Sequence, residues 1–256
     1  MISMLDARTL TVFVTGATAG FGAAVCRRFA GAGAKVIATG RRAERLQALQ
    51  AELGAACHTA MLDVRDRDAV EAVVAGLPQP FRRVNVAVAN AGLALGLEPA
   101  QEANLDDWDA MIATNVNGLT YTARAVLPGM VERDEGHLIL IGSVAGDYPY
   151  AGGNVYGATK AFVKQFALNL RCDLLGFNVR VTTIEPGMAE TEFALVRFKG
   201  DAGKAAVGYK GLTPMSAEDI AETIFWTCTL PRHLNINRMQ MMPIMQAFGG
   251  YAFKRK

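Results

Sequence analysis

The feature that most constrains this chain is a regular alternation. Apolar runs of strand length at 10–15, 35–39, 58–62, 84–89, 137–141, 178–184 and 237–242 are separated by segments of helical period at 20–32, 43–53, 67–75, 106–132, 155–175 and 217–229. The strands are apolar on successive residues, so neither sheet face can meet water and both need helical cover. The pattern predicts a single-domain α/β fold of the Rossmann type, a doubly wound parallel sheet of about seven strands with helices on both faces.

Nothing divides the chain: there is no Pro/Ser-rich linker, charge block or internal repeat, so 1–256 reads as one domain. The stretch 187–213 has no clear period and contains Gly200, Gly203, Gly208 and Gly211, which marks it as a lid-like insertion. With 51% hydrophobic and 20% charged residues the chain buries a core. A net charge of +2 supplies no basic excess for nucleic acid or an anionic membrane, so the expected partner is a small molecule attracted locally. Cys26, Cys57, Cys172 and Cys228 lie far apart, and His58, His137 and His233 have no partners at ligand spacing, so no metal site is expected. Reduced thiols and the lack of any run of about 18 apolar residues predict a cytoplasmic protein that spans no membrane.

The first strand runs into Thr15-Gly16-Ala17-Thr18-Ala19-Gly20-Phe21-Gly22, and a helix follows. Glycines there permit a tight turn and close approach of backbone to a diphosphate, which the helix N-terminus then favours electrostatically. Gly16, Thr18, Ala19, Phe21 and Gly22 are therefore candidate dinucleotide contacts. An NAD site would carry an acidic residue at the end of the second strand, but the sequence there is Ala38-Thr39-Gly40-Arg41-Arg42. Two arginines oppose the dipole at a helix start unless an anion sits beside them. The 2'-phosphate of NADP(H) is such an anion, so Arg41 and Arg42 are assigned to it. The alternative is a solvated basic corner with Arg42 and Arg45 facing water.

Tyr156 and Lys160 are four apart at the start of a helical pattern and share a face. A nearby cation favours the phenolate, which makes Tyr156 a proton-transfer group. Ser143 ends a strand thirteen residues earlier, on the carboxyl side where a parallel sheet binds ligands. Asn90-Ala91-Gly92 follows the fourth strand, and Asn115 lies within a helix.

Taken in order, the glycine turn, Asp63-Val64, Asn90-Ala91-Gly92, Asn115, Ser143, Tyr156, Lys160 and Pro186-Gly187 resemble the short-chain dehydrogenase/reductase family over nearly the whole chain. The resemblance implies that Tyr156 is the general acid/base and that Ser143 holds the substrate oxygen. Lys160 would bind the nicotinamide ribose and depress the Tyr156 pKa, and Asn115 would support a water-mediated proton relay. Asp63 would meet adenine with Val64 beside it, Asn90, Ala91 and Gly92 would line the cofactor site, Pro186 and Gly187 would bound the nicotinamide pocket, and Thr191 would reach the cofactor carboxamide or phosphates. One departure is Ala89, where the family often has asparagine; it puts a turn contact in question.

Further strings, among them Tyr148-Pro149-Tyr150-Ala151-Gly152-Gly153 and Val196-Arg197-Phe198-Lys199-Gly200-Asp201, resemble the branch of NADP-dependent 3-hydroxy acid dehydrogenases. That likeness implies chemistry at C3 of L-serine, L-allo-threonine or 3-hydroxypropionate, the last interconverting with malonic semialdehyde. A small acid needs a cationic anchor, and Arg197 is the candidate. The alternatives are a broad carbonyl or 3-oxoacyl thioester reductase, and a non-catalytic NADP-sensing protein. The family resemblance also implies a homotetramer assembled through the helices at 106–132 and 155–175. The C-terminal 247–253 is apolar and is followed by Lys254-Arg255-Lys256, a composition that suits packing on a neighbouring subunit.

Overall fold

A computed structural model describes residues 4–248. All seven expected strands form: β1 (Thr11–Val14), β2 (Lys35–Gly40), β3 (Cys57–Met61), β4 (Val86–Ala89), β5 (Gly136–Ile141), β6 (Val179–Pro186) and β7 (Arg238–Met241). They make one parallel sheet in the order β3-β2-β1-β4-β5-β6-β7. The order reverses between β1 and β4, and a crevice opens beyond the carboxyl ends of the strands at that point.

Neighbouring residues of β1 show how the cover is shared. Val12 and Val14 enter a core completed by α1 (Gly20–Gly31), α2 (Ala43–Leu53) and the later helix Ala217–Thr229, whereas Phe13 points to the opposite core. There it meets α3 (Arg67–Ala75) and the helices between β4 and β6. Both cores are aliphatic, with Phe13 and Phe29 fully buried. Each layer thus withdraws one pleat of every central strand from water.

Two segments differ from expectation. The stretch 106–132 is one helical column, but it consists of α4 (Leu105–Ile112), a π-helical turn (Ala113–Gly118) and α5 (Leu119–Glu132). The wide turn is pinned by Asn115, whose amide accepts from the Leu93 N–H at 2.9 Å and donates to the Leu93 carbonyl at 2.8 Å. Such turns break the regular ladder and often mark functional positions.

The second is 187–213, which contains α7 (Phe193–Arg197) and α8 (Ala202–Val207) after β6 and α6 (Asn154–Asp173). Five and six residues are too few for a helical period to show. The base of the segment is closed by backbone bonds from Glu190 to the Met215 carbonyl at 2.8 Å and from Met215 to the Met188 carbonyl at 3.1 Å. The helix Ala217–Thr229, α9, then starts in a capping box made by Ser216 and Asp219.

The wall behind the crevice is set by charges. Glu185 on β6 is buried and receives Arg238 of β7 at 2.9 and 2.6 Å, and Arg238 also pairs with Asp147. Asp147 in turn holds Lys164 of α6 and accepts from Gln240 at 3.1 Å. Near the end of the described chain, Phe248 packs on Tyr148 of its own chain, ring centroids 4.5 Å apart. The remainder of the apolar C-terminal run lies outside the described residues. Among the described residues no helix is long and apolar enough to cross a membrane, and no cluster of three His, Cys, Asp or Glu side chains is placed to hold a metal ion.

Candidate active site

A cavity of about 800 Å³ runs along the carboxyl ends of β1, β2, β4, β5 and β6. At one end is the glycine turn. Gly16 has φ +67°, a conformation that side chains disfavour, and a β carbon on Gly22 would lie 2.4 Å from the Gly16 carbonyl oxygen. The turn therefore closes on itself more tightly than alanine allows.

Asn90 holds this turn from β4, donating to the carbonyls of Thr15 at 2.9 Å and Gly16 at 3.2 Å. Thr15 Oγ1 accepts from the Asn90 and Ala91 N–H groups, each at 3.0 Å. The turn contact questioned by Ala89 is thus made by its neighbour, while Ala89 itself is buried in the core. Unlike α3, α4 and α9, α1 has no side chain capping its first turn, because Ala19 precedes it. Its N-terminal amides face the cavity with Thr18, Phe21 and Thr191 around them.

The basic corner differs in detail from the sequence reading. Arg41 turns towards Asp63, 3.9 Å away, and Asp63 is also gripped by Arg65, whose hydrogen bond holds its carboxyl below the usual range. Val64 beside it packs against Gly118, where a β carbon would come within 2.5 Å. Arg42 is grouped instead with Arg45, and a carboxylate that sequence did not bring here, Glu192, bridges the two.

Ser143, Tyr156, Lys160, Pro186 and Gly187 meet at the other end. Ser143 lies two residues beyond the end of β5 and caps the short 144–146 turn, accepting from the Ala145 N–H at 3.1 Å. Tyr156 and Lys160 project from the first turns of α6, both buried. Lys160 donates to the Ile141 carbonyl at 2.8 Å and lies 5.9 Å from the Tyr156 ring centroid. Asn115 stands behind Gly92, its amide also donating to Thr159 Oγ1 at 3.1 Å.

The titration differs from the simple expectation of a lysine pulling the phenol down. Burial dominates and pushes Tyr156 up to about 12, against opposing effects from Ser143 and the charge of Arg197. Burial also lowers Lys160 to about 8. The cation that acts on the phenol in this cavity is Arg197, since the Lys160 ammonium is directed at a backbone carbonyl.

Arg197, on α7, lies 5.0 Å from the Tyr156 ring centroid and 5.5 Å from that of Phe193. Its Nη2 donates to the Tyr150 hydroxyl at 2.7 Å, and its buried Nε has no hydrogen-bond partner. A guanidinium with donor capacity to spare thus stands beside the proton-transfer group. No local pattern in the sequence marks Tyr148, Tyr150, Phe193 or Glu192 as site residues, and Arg45 enters the sequence reading only as a side chain facing water. Tyr148 and Tyr150 stand in a string quoted for its family likeness, but their meeting with the 187–213 segment has no local signal.

The chain belongs to the short-chain dehydrogenase family: the family model described as short chain dehydrogenase matches residues 10–201. It is 60% identical over 247 residues to the NADP-dependent 3-hydroxy acid dehydrogenase of Salmonella typhimurium, covering 96% of this chain and 100% of the relative. It is 55% identical over 247 residues to sulfoacetaldehyde reductase 2 of Chromohalobacter salexigens, covering 95% and 98%. Among solved structures, the closed form of serine dehydrogenase complexed with NADP+ superposes with a TM-score of 0.95 at 58% identity, covering 96% of this chain and 99% of that one.

Proposed function

We propose that this protein is an NADP-dependent oxidoreductase acting at C3 of small 3-hydroxy acids such as L-serine, L-allo-threonine and 3-hydroxypropionate. The observation that carries the reading is Arg197, a cation with an unpartnered buried Nε, standing 5.0 Å from the Tyr156 ring in the cavity that also holds the glycine turn. The names of the two aligned relatives describe substrates bearing a carboxylate or a sulfonate, and either anion suits a guanidinium.

The groove fits a dinucleotide on its own geometry. Gly16 and Gly22 let the turn close more tightly than a β carbon would allow, and the uncapped first turn of α1 offers a diphosphate N–H donors. Arg41 and Arg42 line the cavity where a 2'-phosphate needs cations, with Arg45 beside Arg42, and Asp63 and Val64 bound the adenine side. When bound, the nicotinamide accepts or supplies hydride.

The chain's own residues handle the substrate and the proton. Ser143 donates to the reacting oxygen and holds it towards Tyr156. In the oxidative direction the ionised Tyr156 oxygen takes the hydroxyl proton as hydride leaves C3; in reduction the phenol returns it to the carbonyl oxygen. Lys160 would offer its remaining N–H donors to the ribose, while Ser143 and the charge of Arg197 favour the phenolate. Asn115 fixes the π-helical turn beside Lys160, and a water held there would carry the proton onward. Arg197 and the Tyr150 hydroxyl orient the substrate anion, so that C3 rather than another carbon faces the nicotinamide. The segment 187–213 acts as the lid, with Thr191 at its base against the cofactor.

Sulfoacetaldehyde is a second reading, favoured by the 55% identical relative, and it uses the same anchor. The test is NADPH-band absorbance with L-serine, 3-hydroxypropionate, sulfoacetaldehyde, a 3-oxoacyl thioester and an uncharged ketone. Turnover is expected with the hydroxy acids; turnover confined to the ketone or thioester would overturn the reading. NADPH is expected to bind at least about tenfold tighter than NADH. The reading includes a cytoplasmic homotetramer. Free cysteines, three of them buried, and the exposed Phe162 and Leu168 on α6 support it, and light scattering checks the mass.

A further inference from the structure

Glu192 has no part in the proton transfer or the glycine turn, yet it occupies the most cationic corner of the cavity. Arg42 Nη1 donates to one of its oxygens at 2.8 Å and Arg45 Nη1 to the other at 2.6 Å. Both arginines also close on Thr18: Arg42 Nε donates to the hydroxyl at 2.9 Å and Arg45 Nη1 to the carbonyl at 3.3 Å. Thr18 reaches this position because residue 40 is glycine, where a β carbon would lie 2.7 Å from Thr18 Cγ2. The three charged side chains are each between a third and a half exposed, so a ligand from solvent can reach them.

We propose that Glu192 is a specificity-determining residue of the cofactor site, a carboxylate that occupies the arginine pair in competition with the 2'-phosphate. The inference rests on the reading of NADP(H) as the cofactor. A phosphate monoester carries close to two negative charges and three acceptor oxygens, and it exceeds a single carboxylate in its hold on guanidinium groups. Ion pairs this exposed are weak enough for such a group to break. NADH presents only a hydroxyl at the 2' position; it cannot displace the carboxylate and gains nothing from the arginines.

The consequence reaches the substrate side. Glu192 immediately precedes α7, which carries Phe193 and Arg197, and Thr191 stands over Gly20 with its Cβ 3.4 Å from where a β carbon of residue 20 would be. Release of Glu192 by the phosphate therefore frees the start of the helix that bears the substrate anchor. The discriminating group is thus supplied from the far end of the sequence, rather than from the end of β2.

The test is calorimetric binding of NADPH and NADH, and of adenosine 2',5'-bisphosphate and AMP as fragments, to the wild type, Glu192→Gln and Glu192→Ala. No substrate is added. Both variants are expected to bind NADPH and the bisphosphate about fivefold tighter, with NADH and AMP unchanged within about twofold. Unchanged NADPH affinity in both variants would overturn the proposal. So would a parallel weakening of both dinucleotides, which would make Glu192 a clasp over bound cofactor. Equal binding of NADPH and NADH by the wild type would overturn the cofactor reading itself, and it is read without the variants.

Discussion

Tyr156 works in a field set by three neighbours. Burial and, less strongly, Tyr150 raise its pKa, while Ser143 and Arg197 pull it down. Tyr156→Phe keeps the ring contact with Phe193, at 5.6 Å between centroids, and removes only the ionisable oxygen. Turnover is expected to fall by at least about two orders of magnitude with the melting temperature unchanged, measured by NADPH absorbance and thermal unfolding. Arg197 has two effects that one substitution separates. Arg197→Met removes the anchor, so KM for a 3-hydroxy acid should rise by about tenfold while KM for an uncharged alcohol stays put. It also removes a cation that favours the phenolate, so the Tyr156 pKa rises further and, because oxidation needs the ionised oxygen, the rising limb of the pH–rate profile moves to higher pH with either substrate. An equal KM change for both substrates would remove Arg197 from the anion site.

At the scale of the element, the turn between β1 and α1 is the least tolerant part of the cavity. Gly22→Ala places a methyl group 2.4 Å from the Gly16 carbonyl oxygen, and the obstruction is backbone rather than a side chain that can swing away. The turn must open, so stability should fall by about 1–3 kcal/mol and dinucleotide affinity should fall with it, both measurable on the purified protein. These glycines were legible in the sequence because strand, turn and helix follow one another within a dozen residues. The seven strands were legible for a related reason: continuous apolar runs have few other stable placements. The π-helical turn was not, since it depends on Asn115 reaching the backbone of Leu93, and the apolar spacing of 106–132 hardly registers one wide turn. Nor were α7 and α8, each under two turns long. Ser143, Tyr156 and Lys160 stood in recognisable strings, whereas Glu192 reaches its arginines from 150 and 147 positions away, a pairing that only the fold creates.

For the whole molecule, the central sheet contains one side chain whose protonation opposes folding. His137 on β5 lies between β4 and β6, fully buried, with Nε2 at 2.8 Å from Thr182 Oγ1 and Nδ1 without a partner. Burial, with the nearby charge of Arg180, lowers its pKa well below the ordinary 6.5, so the folded protein keeps the ring neutral. The unfolded chain protonates it as pH falls through that value. The unfolded state therefore binds the extra proton, and the His137 contribution to stability is level above about pH 6.5 and declines below it, by at most about 1.4 kcal/mol per pH unit. Paired carboxylates such as Asp63 and Glu192, held below their ordinary 3.8 and 4.5, contribute an acid loss that begins at lower pH. The two contributions separate in a melting series from about pH 8 to about pH 4 on the wild type and on His137→Gln, which keeps a polar group for Thr182 without a titrating ring. The variant should lose the decline between about pH 6.5 and about pH 5 and keep the steeper one beneath it. Superimposable profiles for the two proteins would show that His137 is not the group whose burial limits stability on the acid side.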